Sequence, residues 1–230
     1  AGPLDHSIAV RAGLAPDVRS TKQALLTSVG LSALFLIVYG GCNWITTRRG
    51  DVGKLYFRWE RNIPFLRFMI LPYLSIDLLF VGAPFLFRTT HELRLLWARI
   101  AFVIVIAGVC FLLFPLRFAF DRPPATGWLG MIFDWFRGVD APHNLAPSLH
   151  ATLMLILLDV YLRHNRGMIR TLLIIWFVAI GLSPVLTYQH HVIDIVTGFI
   201  LGGCSFYLFR DDRFFSLRQP NESHNQAPQL

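Results

Sequence analysis

Three short polar stretches carry the side chains best suited to acid–base and anion chemistry: RFAFDRPP (117–124), APHNLAPSLH (141–150) and TYQHHVID (187–194). In the last of these, His190 and Asp194 stand four apart, so on a helix they share one face. The carboxylate can then hold one imidazole nitrogen and fix the tautomer, leaving the other nitrogen to act as nucleophile or base. A carboxylate at the start of a membrane helix is costly unless paired. The plainer reading is a structural His–Asp pair capping the helix. His150 follows Pro147-Ser148 at an expected helix start, where unpaired N–H groups and the helix dipole favour an anion. A histidine there can pass a proton to a leaving group, although alone it reads as a polar residue meeting water at an interface. Arg117 and Arg122 can grip phosphate oxygens in a two-pronged fashion, or simply snorkel toward water. Taken together, two His, one Asp and two Arg supply a nucleophile, its orienter, an acid and charge clamps. Zinc held by His143, His150, His190 and Asp194 is the alternative.

These residues work as one site only if the elements between them bring the three stretches to one surface. A membrane-spanning helix needs about 20 largely apolar residues. Six runs qualify as candidates: 24–45, 63–87, 95–116, 149–162, 168–187 and 191–209. Pro64, Pro72 and Pro84 are expected to bend the second. The fourth is the shortest and reaches full length only if Pro147 and Ser148 start it below the interface. The expected fold class is therefore all-α, a bundle of six transmembrane helices. In that layout the three polar stretches follow the third span, open the fourth and join the fifth to the sixth, so all face one side. Residues 1–23 form a polar N-terminal segment in which no cleavable signal peptide is expected. The membrane domain covers 24–210, and 211–230 is a polar tail expected to be mobile. The longest loop contains TGWLGMIFDWFRG, with Trp128, Met131, Ile132, Trp135 and Phe136 at helical spacing. This predicts a short interfacial helix whose job is anchoring, the alternative being a loop that packs on the bundle.

Composition agrees with a membrane protein. Hydrophobic residues make up 54% and charged residues 15%, against about 25% charged in soluble domains. The net charge of +7 belongs to loops rather than to a basic stripe on a polar fold, so nucleic acid is not an expected partner and anionic head groups are. Lys and Arg number twelve on the side of the termini and eight on the other, which places the termini in the cytoplasm of a cell-membrane protein and the polar stretches on the extracytoplasmic face. Cys42, Cys110 and Cys204 lie in apolar runs and share no motif, so they read as small buried hydrophobes rather than disulfides or metal ligands.

The order and spacing of these residues resemble the type 2 phosphatidic acid phosphatase (PAP2) superfamily, whose pattern is K-x6-R-P, then P-S-G-H, then S-R-x5-H-x3-D. Arg122-Pro123 matches the end of the first element. Pro147-Ser148-Leu149-His150 matches the second with Leu for Gly, and Ser183 with His190-x3-Asp194 matches the third. The resemblance implies that His190 attacks phosphorus, Asp194 orients it, and His150 serves the leaving oxygen and then the incoming water or alcohol. It implies that Arg122 and Ser148 contact phosphate, with a lipid phosphate as substrate and no metal or other cofactor. The family's Lys and Arg positions are Pro115 and Pro184 here, and Arg117 is expected to stand in for one of them. Such departures resemble the branch of inositol-phosphorylceramide and sphingomyelin synthases, which move a head group to a lipid alcohol. The resemblance gives His191 no role.

Overall fold

The computed structural model describes residues 18–139 and 143–210; the polar tail and most of the N-terminal segment lie outside them. The described residues are all-helical, with three isolated bridges and no strand. The helices are α1 (Thr21–Thr46), α2 (Ile70–Gly82), α3 (Thr90–Leu113), α4 (Gly127–Val139), α5 (Leu149–His164), α6 (Gly167–Leu186) and α7 (Val192–Leu208).

Local chemistry sets where these helices begin. Ser20 caps α1 by accepting from the Gln23 N–H (3.2 Å), while the Gln23 side chain accepts from the Ser20 N–H (2.7 Å). Thr89 and Glu92 repeat the reciprocal pair at α3, satisfying donors that a helix start leaves unpaired. In the second apolar run, 3-10 turns at Arg67–Met69 and Ala83–Phe85 flank α2; Pro84, with no N–H to continue the ladder, lies in the second turn, whereas Pro72 sits inside α2.

α1 packs on α3, α2 on α6, and α5 on α6 and α7. Ile100, Val103, Ile104 and Ala107 of α3 meet Ile156 and Leu157 of α5 and Phe177 and Ile180 of α6, all inaccessible or nearly so. The outer faces are apolar as well: Ile37 is 72% exposed and Leu78 78%. Large apolar side chains facing outward on helices are what a hydrocarbon solvent permits. Four helical stretches, Thr21–Thr46, Arg67–Phe85, Thr90–Leu113 and Gly167–Leu186, are long and apolar enough to cross a membrane. With 16 and 17 residues, α5 and α7 are shorter. α5 is proportionally the most enclosed helix, with nine of its 16 residues buried against ten of 24 in α3.

Two glycines let α7 lie against α5. A Cβ on Gly198 would stand 2.5 Å from the Ser148 carbonyl oxygen, and one on Gly202 would stand 2.9 Å from the Leu155 side chain. The Thr152 hydroxyl oxygen, 2.8 Å from both the Ser148 and Gly198 carbonyl oxygens, stitches the seam. Cys42 is buried, whereas Cys110 is only partly covered and Cys204 is exposed. The reading of all three as buried is therefore corrected: Cys204 lies on the outer face of α7, away from the α5 seam.

Candidate functional site

The loops at one end of the bundle are tied to each other by main-chain bonds. Gly53 N–H donates to the Pro115 carbonyl, Arg117 N–H to Gly53, and Leu66 N–H to Leu186 (3.0, 2.9 and 2.8 Å). Leu116 also bridges to Asn144. The three polar stretches thus meet in one layer, as their positions between apolar runs predict.

α7 starts at Val192, so His190 precedes the helix. The expectation that His190 and Asp194 share a helical face is corrected to a pairing across the turn that enters α7. The reason lies in the end of α6, where the Pro184 carbonyl accepts from both Gln189 N–H (2.8 Å) and His190 N–H (3.1 Å). Tyr188 reverses the chain at φ +57°, a left-handed conformation uncommon outside glycine, and its hydroxyl donates to the Ile63 carbonyl at 2.7 Å. This turn brings His190 Nδ1 to 3.6 Å from Asp194 Oδ2, longer than a hydrogen bond. Asp194 is fully buried, and its Oδ2 accepts from the His191 N–H at 2.8 Å. Three buried polar atoms of this short segment have no hydrogen-bond partner: Gln189 Oε1, His190 Nδ1 and Asp194 Oδ1. Buried polar atoms are nearly always paired, so this cluster is a candidate binding position.

His150 is joined to this segment from the other side. Ser148 is the N-cap of α5, its hydroxyl oxygen accepting from Ala151 N–H (3.3 Å), and its own N–H donates to the Asp194 carbonyl (3.0 Å). His150 Nε2–H donates to the Ile180 carbonyl at 3.1 Å. That carbonyl is available because residue 184, four further on, is proline and cannot complete the helical bond; the Ser183 hydroxyl donates to it too, at 2.7 Å. Pro184 therefore frees the carbonyl that fixes the Nε2–H tautomer of His150, leaving Nδ1 as the unprotonated nitrogen. Tyr73 of α2 stacks on the imidazole at 4.4 Å and 11°.

The cations are placed differently from one another. Arg122 is partly buried, with its guanidinium carbon 5.4 Å from the Phe118 ring centre, and Phe118 stacks on His191 at 4.3 Å. Arg117 is exposed. Its charge reaches His143, whose imidazole is held below its ordinary pKa by burial first and by Arg117 second. Ser148 is wholly buried beneath the cap. The zinc alternative needs at least three converging ligands, and among the described residues no such group of His, Cys, Asp or Glu forms.

Three participants were not singled out from the sequence. Tyr73 reads as one more apolar residue of a span. Glu60, 2% exposed, reads as loop charge, yet its Oε2 accepts from His191 Nδ1–H at 2.7 Å. Gln189 sits between two better-known chemistries. Only an isolated acid among aromatic residues, in YFRWERNIPF (56–65), hints at Glu60. No protein-family model, curated protein or solved structure matches the chain.

Proposed function

We propose that this chain is an integral membrane enzyme that cleaves a lipid phosphoester through a phosphohistidine on His190, in the manner of the PAP2 superfamily. The observation that carries the reading is the pairing of Ser148 N–H with the Asp194 carbonyl (3.0 Å) beside the unpartnered His190 Nδ1 and Asp194 Oδ1. It brings the acid segment and the nucleophile segment, far apart in sequence, around one small volume.

In this mechanism Asp194 takes the Nδ1 proton of His190 in a hydrogen bond, and Nε2 attacks phosphorus. The P–O bond to the lipid breaks as protonated His150 gives its Nδ1 proton to the leaving oxygen. His150 then accepts a proton from water, which attacks phosphorus, breaks the P–N bond and releases phosphate. Arg122 offsets the charge that builds on the phosphoryl oxygens. All six apolar helices cross the bilayer in this reading, the short α5 enclosed by the others and the short α7 packed on α5 with its outer face apolar. Helix α4 lies in the interface, its Trp128, Met131 and Trp135 exposed on one side and Phe133 packed against the bundle on the other. The site faces the extracytoplasmic side.

A second reading, transfer of a phosphoryl head group to a lipid alcohol, is favoured by Pro115 and Pro184, which stand where the family carries cations. Fewer cations suit a phosphodiester, with one negative charge, better than a phosphomonoester with nearly two. A panel of lipid phosphates and phosphodiesters, scored for free phosphate and for new lipid products, separates the two. Activity is expected to survive EDTA; loss that zinc restores would replace the phosphohistidine reading by a metal one. A protein inert on the whole panel would end both.

Arg122→Ala is expected to cost roughly 10–100-fold in kcat/KM, the worth of a charge-assisted bond to phosphate. Arg137→Ala should cost less, because Arg137 lies over Phe133 and donates to the Pro123 carbonyl at 3.1 Å, bracing the loop rather than meeting substrate. Equal losses in the two variants would reduce Arg122 to general positive charge.

A further inference from the structure

We infer that Glu60 is a positioning residue for the His190 site, acting through His191; the inference rests on the reading of His190 as nucleophile. Glu60 lies in the 3-10 turn Arg58–Asn62 between α1 and α2, and every hydrogen bond of its carboxylate is accepted from a donor. Oε1 accepts from Phe57 N–H (2.9 Å). Oε2 accepts from His191 Nδ1–H (2.7 Å) and from Val192 N–H (3.3 Å). At the far edge of the same ring, His191 Nε2 accepts from Ala119 N–H (3.0 Å).

An imidazole with a proton on Nδ1 and a lone pair on Nε2 satisfies both ends, so the tautomer is fixed and neither nitrogen is left for chemistry. The ring is 1% exposed. Phe118 and Tyr56 stack on it, and Phe120 meets it edge-on at 5.0 Å. His191 is thus a strut joining three segments: the 53–62 loop, the RFAFDRPP stretch and the entry to α7. Its own N–H is held by Asp194 Oδ2, so the carboxylate that orients His190 and the peptide that follows His190 are both anchored to Glu60. Through Ala119 and Phe118 the same strut fixes the stretch that carries Arg122. Glu60 therefore sets the distance between nucleophile, orienter and clamp.

A carboxylate is required because all three neighbours donate. Glutamine has the same shape but turns an NH2 toward at least one of them. In the full chain in detergent, Glu60→Gln is expected to raise amide hydrogen exchange about 10-fold in 117–120 and 188–194, as local opening becomes easier. It should lower kcat on the order of 100-fold, the cost of a misplaced nucleophile, with KM changed less than about 3-fold. Glu92→Ala, which removes the side chain that closes the cap of α3 at the opposite end, serves as the control for a purely structural loss and should leave kcat unchanged. Unchanged exchange in Glu60→Gln overturns the strut. Raised exchange with wild-type kcat, or a kcat loss no greater than that of Glu92→Ala, overturns the positioning role. The exchange measurement needs no substrate. A wild-type protein inert on every lipid phosphate would therefore sink the assignment of His190 while exchange still decides the strut.

Discussion

Replacing His190 by alanine is expected to abolish phosphate release from lipid phosphates, a fall of at least about 1,000-fold, since it removes the imidazole whose unpartnered ring nitrogen faces the Asp194 carboxylate. The fold should survive. The His190 N–H bond to the Pro184 carbonyl is main-chain and persists, and the lost ring nitrogen Nδ1 had no hydrogen-bond partner. Asp194 keeps the His191 N–H. A phosphohistidine also predicts that label from a phosphorus-labelled lipid stays on the wild-type protein after mild base and leaves in acid, and that His190→Ala takes none. Thermal stability and elution in detergent check that the variant is folded. Activity in a folded His190→Ala protein would remove the nucleophile assignment and with it the mechanism.

The second large effect is expected at Gly198→Ala, where no chemistry is touched. The new methyl would sit 2.5 Å from the Ser148 carbonyl oxygen and 3.0 Å from Ala151 Cβ, closer than atoms approach, so α7 must move from α5. Overpacking of this kind costs about 1–3 kcal/mol. The movement also pulls Ser148 from Asp194 and His150 from His190, which should lower kcat on the order of 100-fold. Gly203→Ala is the matched control: nothing lies within 4 Å of its added methyl, and alanine is the better helix former by about 1 kcal/mol. Thermal unfolding and turnover measured on both variants test the point. A Gly198→Ala protein as stable and active as Gly203→Ala would show that the close α5–α7 seam does not hold the site together.

The contrast between these two glycines shows where sequence reading stops. Gly198 and Gly203 lie in the same apolar run, and nothing local tells which one faces a neighbour. The same holds for histidines: His190 and His191 are adjacent and chemically identical, yet one has an unpartnered ring nitrogen beside a carboxylate while the other has both nitrogens occupied. The two arginines divide likewise, Arg122 over the Phe118 ring and Arg117 toward His143. Pro184 reads as a missing cation in the sequence and acts in the structure as the residue that frees a carbonyl for His150.

The sequence by itself determined that the chain is helical and apolar, where most of its long helices run, and that three polar stretches fall at their ends. Those properties follow from composition and spacing within a few turns, and the span ends shift by only a few residues. Tertiary structure alone decided which ring nitrogen is engaged, that Glu60 reaches His191 across 131 residues, and that α5 and α7 touch at Gly198. A hydrogen bond depends on ångström-scale distance and direction between groups whose separation along the chain carries no such information. Only the packing of the helices supplies it.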